Sequence, residues 1–209
     1  MRKSTFIVGA VALLAVGALF ASNMGFKINY QMLAGTNAGS DKGINSLALP
    51  YNAQTGVIDA QTLADDIGSA NVLTISKYVE SNDGYFVYPT DGNFSLSHEE
   101  AYYVRLLNDV NYIVVGSHDP SATVSLESAG DPNSDKGINF VAYPYHSTSS
   151  LASELANEIG STNVLSIGQY VESNDGLTIY PTDGDFSLVP GEGYFIRMLA
   201  NQTWTPSHY

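Results

Sequence analysis

One segment of this sequence occurs twice, and that duplication constrains the fold more than any other feature. The residues DKGINSLALPY at positions 41–51 recur as DKGINFVAYPY at positions 135–145. The likeness continues beyond each copy, because the segments VESNDG and PTDG follow in the same order in both halves. Self-similarity of this extent predicts two copies of one structural unit joined in tandem.

The pattern within each copy predicts strands and a single helix. Alternating apolar and polar side chains from Phe26 to Leu33 are typical of a strand, and residues 72–78 and 101–107 are further strand candidates. Residues 59–67 and 151–159 place apolar side chains at helical spacing before a glycine. We therefore predict a β-rich α+β protein made of two tandem homologous β-sandwich or small-barrel units, each with one short helix.

The N-terminal segment has the composition of a secretory signal. Arg2 and Lys3 precede the apolar run FIVGAVALLAVGALFA, which is short for a bilayer span of about 20 residues. We predict a signal peptide at 1–22, a first repeat unit at 23–119 and a second at 120–209; an uncleaved membrane anchor is the alternative for the leader. The predicted location is outside the cell or on its surface, with the periplasm as alternative, and membrane contact is expected only through the leader before cleavage.

Composition limits the class of partner. The formal net charge is −13, and such a surface repels phosphate backbones, so no nucleic-acid partner is predicted. Hydrophobic residues make up 44% and charged residues 14%, which excludes a disordered chain. The chain has no cysteine, so its stability is expected to come from packing and not from disulfides.

The pattern G-x-N-x-x-x-x-P-Y resembles a module found in secreted and cell-surface proteins of bacteria and archaea. It occurs here twice, at Gly43, Asn45, Pro50 and Tyr51 and again at Gly137, Asn139, Pro144 and Tyr145. A later G-x-G-Y segment of that module matches residues 191–196, whereas the first copy has Glu99, Glu100 and Ala101 there. The resemblance covers nearly the whole mature chain and implies an extracellular β-rich module; it implies no catalytic residues.

A cation site is one interpretation of the loop that precedes the second copy. Asp131, Asn133 and Asp135 alternate along it, and oxygen-bearing side chains at such spacing can converge on Ca²⁺. The loop departs from the EF-hand pattern, and a polar linker between the repeats is the favoured alternative. No other cofactor is predicted.

The acidic turns and the two arginines after the leader have structural and functional interpretations. Asp83 and Asp91 could form a second acidic cluster, as could their copies Asp175 and Asp183 together with Asp185, but Asn-Asp-Gly is first of all a hairpin signal. Arg105 and Arg197 occupy equivalent strand positions on partly apolar faces. We predict that each pairs with an acidic turn of its own unit, such as Glu80 or Asp83; docking of a ligand carboxylate is the alternative.

No serine, histidine or carboxylate set has the spacing of a known catalytic motif, so we predict a protein that is not an enzyme. The leading hypothesis is an exported non-catalytic structural protein of the cell surface or extracellular matrix that self-assembles into a filament or layer. Self-association is expected through the strand from Phe26 to Leu33, by β-augmentation, or through sheet edges. The alternative is a secreted module that binds glycan or calcium, for which some of the 14 tyrosines would form a platform.

Overall fold

The computed structural model describes residues 25–35, 43–50, 52–53, 56–117, 119–130, 137–171 and 176–207. The predicted signal peptide at 1–22 and the predicted calcium ligands Asp131, Asn133 and Asp135 lie outside these residues. Neither helix in the described part of the chain has the length and apolar character that crossing a bilayer requires.

The elements of the first unit alternate strands with one helix. They are β1 Phe26–Met32, β2 Ile44–Ala48, β3 Asn52–Ala53, α1 Ala60–Ile67, β4 Val72–Val79, β5 Gly84–Tyr88, β6 Ala101–Leu106 and β7 Val110–Ser117. The second unit repeats this order without a counterpart of β3 among its described residues. Its elements are β8 Val124–Leu126, β9 Ile138–Ala142, α2 Ala152–Ile159, β10 Val164–Val171, β11 Gly176–Tyr180, β12 Gly193–Met198 and β13 Gln202–Trp204.

Two antiparallel sheets build each unit. The larger sheet has the order β2-β6-β4-β5 in the first unit and β9-β12-β10-β11 in the second, so the topology is the same in both. The smaller sheet is β1-β7-β3 in the first unit and only β8-β13 in the second. The prediction of two tandem β-sandwich units with one helix each is confirmed.

The core of each unit lies between its sheets and its helix. In β6 the side chains of Tyr102, Val104 and Leu106 point into this core, because neighbouring strand residues face opposite ways. Helix α1 adds Leu63 and Ile67, and burial of each such side chain contributes about 2 kcal/mol to stability. The other residues of β6 face away from this core, and β6 is nevertheless buried along most of its length. A second layer of protein must therefore cover its outer face.

The repeated Gly-x-Asn motif joins the two sheets of each unit. In the second unit Asn139 Oδ1 accepts from Glu127 N at 2.8 Å and Asn139 Nδ2 donates to Glu127 O at 2.9 Å. The side chain therefore bonds to both backbone groups of the residue that follows β8, as a neighbouring strand would. Its Nδ2 also donates to Ile196 O in β12 at 3.1 Å. Gly137 must lack a Cβ, since φ is +75° and an added Cβ would lie 2.5 Å from Ala129 N.

The first unit contains the same arrangement, which we call the Asn clasp. Asn45 Oδ1 accepts from Leu33 N at 2.8 Å, while Asn45 Nδ2 donates to Leu33 O at 2.9 Å and to Val104 O at 3.2 Å. The two clasps explain why glycine and asparagine recur at this spacing in both copies: the glycine lets two backbones approach, and the asparagine joins them.

Candidate functional site

The two units pack together through the outer faces of their larger sheets. Tyr103 of β6 and Phe140 of β9 are buried there, with ring centroids 4.7 Å apart, and Phe195 of β12 stacks on Phe140 at 4.4 Å. Aromatic pairs at these distances add stability beyond the area that they bury. The second layer over β6 is therefore the other repeat unit, and the aromatic residues form a core between the units.

Reciprocal hydrogen bonds relate the units by an approximate two-fold axis. Ala48 N donates to Gly191 O at 2.8 Å, and Ala142 N donates to Glu99 O at 3.0 Å. Ala142 holds in the second unit the position that Ala48 holds in the first, and Gly191 corresponds to Glu99. Each unit thus uses the same surface to contact the other, as in an isologous dimer.

Near this axis the two copies differ by one methyl group. Ala101 begins β6 and Gly193 begins β12, at equivalent positions, and both are buried in the interface. A Cβ added to Gly193 would overlap the Cβ of Ala101 and would lie 2.8 Å from the Phe140 ring. Only one of the two positions has room for a side chain, which accounts for the glycine that the second copy has and the first lacks.

A groove of about 460 Å³ opens beside the aromatic core, and we call it the Arg105 groove. Its walls come from both units: Tyr85 and Tyr103 from the first, and Tyr170 and Phe195 from the second. Arg105 also lines it. The Nε and Nη2 atoms of Arg105 are buried, and neither has a hydrogen-bond partner among the described residues. This groove is the candidate functional site.

A smaller groove of about 290 Å³, the Arg197 groove, lies at the equivalent place on the other side of the interface. Arg197 and Asp83 both line it, so a carboxylate of the first unit faces the arginine of the second. Asp83 Oδ1 accepts from the Tyr78 hydroxyl at 2.6 Å. Burial and this contact with a carboxylate raise the pKa of the Tyr78 hydroxyl above its ordinary value.

The prediction that Arg105 pairs with an acidic turn of its own unit, such as Glu80 or Asp83, is wrong; for Arg197 the corresponding turn, 172–175, lies outside the described residues. Among the described residues the one ion pair is Lys77 with Glu100, at 2.7 Å. The turn that carries Glu80 and Asp83 projects towards the second unit instead: Glu80 Oε1 accepts from Gly137 N at 3.2 Å, and Asp83 lines the Arg197 groove. Local sequence could not reveal this, because the contacts form only when the units dock.

The other acidic turn residues that the structure describes have structural roles, whereas Asp175 lies outside the described residues. Asp91 Oδ2 accepts from Val87 N at 2.8 Å and Asp183 Oδ2 from Ile179 N at 2.9 Å, which confirms the turn interpretation for both. Asp185 Oδ1 accepts from Ser153 N at 3.0 Å at the start of α2. In the described residues no three histidine, cysteine or acidic side chains are close enough to hold a metal ion.

The described histidines, His98 and His146, are both partly buried. Burial lowers the pKa of His98, and its contact with the Pro50 carbonyl opposes that effect. His146 packs its ring edge against Tyr145, with centroids 5.0 Å apart, and against Phe26 at 5.3 Å. These contacts are those of packed side chains.

A polar cluster that the sequence analysis missed lies at the last turn of α2. The half-buried Glu158 accepts from Trp204 Nε1 at 2.9 Å, from Ser149 Oγ at 2.5 Å, and from Ser207 N and Oγ at 2.7 and 2.8 Å. The equivalent pair of the first unit is Asp66 with Tyr112, joined at 2.8 Å. The sequence contained a signal for this cluster. In both units an acidic residue on the helix recurs together with an aromatic hydrogen-bond donor on the last strand.

This cluster predicts an acid-sensitive contribution to stability. Burial raises the pKa of the Glu158 carboxyl, but its hydrogen bonds outweigh burial and hold the pKa below the ordinary 4.5. A depressed folded pKa means that the contribution is present above pH 4.5 and is lost as the pH falls through the folded value. We expect Glu158→Gln to cost about 1–3 kcal/mol at neutral pH and to flatten the fall in unfolding free energy below about pH 5.

Urea unfolding at several pH values would test this, with Glu127→Gln, a change at an exposed glutamate, as the control. If the unfolding free energy of Glu158→Gln fell with pH as steeply as that of the wild type, the acid sensitivity would not come from Glu158.

Comparison with known proteins was made for the whole chain. It matches no protein-family model, and no significant match is found among curated proteins or solved structures.

Proposed function

We propose that this chain is an exported, non-catalytic structural protein of the cell surface or extracellular matrix that self-associates along strand β1. The observation that carries the proposal is the position of β1 at the edge of the β1-β7-β3 sheet. Its seven residues pair with β7 along one side, and no described strand lies on the other. A long uncovered edge is a template for pairing with another chain.

The Asn clasp indicates which backbone groups face this edge. Leu33 N and O both bond to Asn45, and Asn45 belongs to the other sheet, so these groups point away from β7. Backbone groups alternate in direction along a strand. The N–H and C=O groups of Lys27, Asn29 and Gln31 therefore face the free edge, where an added strand would bond to them.

The surroundings of β1 leave room for such a strand. A groove of about 540 Å³ runs along residues 28–32, and residues 169–171 and 189–190 of the second unit help to form its walls. On the outer face of the neighbouring β7, Ile113 and Val115 are 42% and 47% exposed. Exposed apolar surface on this sheet favours association with another molecule.

Strand β1 is itself held within its own chain. Besides its ladder with β7, Phe26 stacks on Tyr145 of the second unit at 4.2 Å, and the Tyr30 hydroxyl donates to Ala48 O at 2.6 Å. These contacts favour association by addition to the edge of β1 over donation of β1 to a neighbour.

The roles of the acidic side chains support a non-catalytic protein. Glu158, Asp91, Asp183 and Asp185 accept hydrogen bonds that hold turns, helix ends or the last strand. A catalytic carboxylate must be available to a substrate, whereas these are occupied by the fold. Export rests on the basic start and apolar run of the leader.

A single edge substitution tests the assembly proposal. Asn29→Pro removes one outward N–H while leaving the bonds to β7 intact, and proline is tolerated on the open side of an edge strand. We expect the protein lacking residues 1–22 to form oligomers or filaments, and Asn29→Pro to raise the concentration needed for assembly about tenfold or more. Light scattering with size-exclusion chromatography, and electron microscopy, would measure this.

The matched control is Asn29→Thr, which changes the same side chain but keeps the N–H, and which should assemble like the wild type. Thermal unfolding of both variants would verify that β1 remains in place. A wild-type protein that stays monomeric at high concentration, or an Asn29→Pro variant that assembles normally, would overturn the proposal.

A further inference from the structure

The Arg105 groove contains a guanidinium whose buried Nε and Nη2 atoms have no hydrogen-bond partner among the described residues. Arg105 lies in the middle of the larger sheet, with Ile44 of β2 opposite it on one side and Thr74 of β4 on the other. Neither neighbour carries a negative charge. The buried Nε and Nη2 atoms lose their hydration, and that loss is costly unless an anion or another acceptor replaces the water.

The described lining of the groove offers aromatic and aliphatic surface but no carboxylate. Tyr85, Tyr103, Tyr170 and Phe195 supply four rings, and the hydroxyls of Thr74 and Ser76 lie on the same wall as Arg105. The Arg197 groove differs, since Asp83 lines it. Among the residues that the structure describes, the Arg105 groove is therefore the one of the two with no carboxylate in its lining, so a ligand carboxylate would meet no described negative charge there.

We propose that the Arg105 groove binds a small organic carboxylate whose body is a ring of apolar or stacking character. The planar guanidinium fork matches the two oxygens of a carboxylate, and such charge-assisted pairs are the strong hydrogen bonds of proteins. The aromatic side chains would contact the faces of the ring. A volume of about 460 Å³ is within the range of small-molecule sites.

The same features argue against larger anions. The protein carries a net charge of −13, so a polyanion would be repelled by the surface around the groove. A single arginine among apolar side chains suits one negative charge and gives no second cation for a diphosphate. A carboxylate on a ring, either an aryl acid or a sugar acid, satisfies both conditions.

Calorimetric titration of the protein lacking residues 1–22 would test the site. Phenylacetate represents the aryl acids and glucuronate the sugar acids; phenylacetamide and glucose are their neutral counterparts. We expect one of the acids to bind with a millimolar or tighter Kd, and its neutral counterpart to bind about ten- to a hundredfold more weakly, because it lacks the charge-assisted pair. The acid that binds more tightly identifies the class of ligand.

Two matched variants locate the binding. Arg105→Met keeps the length of the side chain but removes the charge, and we expect it to weaken acid binding about ten- to a hundredfold. Arg197→Met makes the same change in the Arg197 groove and should leave that binding intact. Since Arg105→Met also removes two buried polar atoms that have no hydrogen-bond partner among the described residues, its melting temperature without ligand should equal or exceed that of the wild type.

Three results would overturn the proposal. The first is failure of both acids to bind the wild-type protein, or binding no tighter than that of the neutral counterparts. The second is acid binding that survives Arg105→Met but is lost in Arg197→Met. The third is a melting temperature for Arg105→Met well below that of the wild type, which would mean that the guanidinium has a structural partner.

Discussion

Gly193→Ala is expected to destabilise the folded protein by about 1–3 kcal/mol, or more if the backbone cannot shift. The added methyl group would overlap Ala101 and would lie 2.8 Å from the Phe140 ring, in the closest part of the interface between the units. The backbone at Gly193 belongs to strand β12, where alanine has no conformational difficulty. The loss would therefore come from overpacking alone. Urea unfolding of the whole chain would measure it.

The approximate two-fold axis supplies a compensating change. Ala101→Gly removes the methyl group that the new side chain would meet, so the double variant Gly193→Ala with Ala101→Gly moves one methyl from the first unit to the second. We expect the double variant to recover part of the lost stability, with a coupling energy of about 0.5–3 kcal/mol between the two positions. Additive effects of the two changes would mean that the units do not meet here.

Asn139→Ala is expected to cost about 2–4 kcal/mol of unfolding free energy. The substitution removes the acceptor of Glu127 N and the donor to Glu127 O, Ile196 O and, at 3.4 Å, Gly137 O, so four hydrogen bonds are lost at once. Each such bond contributes about 1 kcal/mol, and a backbone group left without a partner adds to the loss. The same change at Asn45 should have a similar effect, since it makes the equivalent bonds.

The control for the Asn clasp is Asn108→Ala. Asn108 is exposed and donates one hydrogen bond, to Asn71 Oδ1 at 2.9 Å, so its loss should lie within about 0.5 kcal/mol. Asn139→Asp provides a second comparison, because it keeps the acceptor for Glu127 N and removes the donor. An Asn139→Ala variant as stable as Asn108→Ala would show that the clasp does not hold the two sheets together.

Local elements were predictable from the sequence because they depend on residues close together in the chain. Apolar spacing identified α1 and α2, alternation identified β1, and the segments 72–78 and 101–107 were strand candidates that became β4 and β6. The short strand β3 was not predicted, since two residues form no pattern. The Gly-x-Asn motif was visible twice, but its role was not. Asn45 bonds to Leu33 and Val104, which lie outside the motif and come close to it only in the folded chain.

The candidate site was only partly predictable. Alternation placed Arg105 and Tyr103 on one face of β6, and both line the groove. The aromatic side chains opposite them come from the second unit, and nothing local to β6 indicates that Tyr170 and Phe195 would face it. The expected partner of Arg105 was wrong for the same reason, since the turn carrying Asp83 serves the other unit.

The sequence by itself determined that one β-rich unit with a helix occurs twice, because strand alternation, helical spacing and repetition are properties of neighbouring residues. Only the tertiary structure decided how the two copies meet. Their outer faces share an aromatic core around an approximate axis, which requires Gly193 opposite Ala101 and leaves Arg105 in a groove between them. Such contacts depend on how two surfaces far apart in the chain are placed relative to each other. That placement is selected by the packing of the surfaces and not by any local preference.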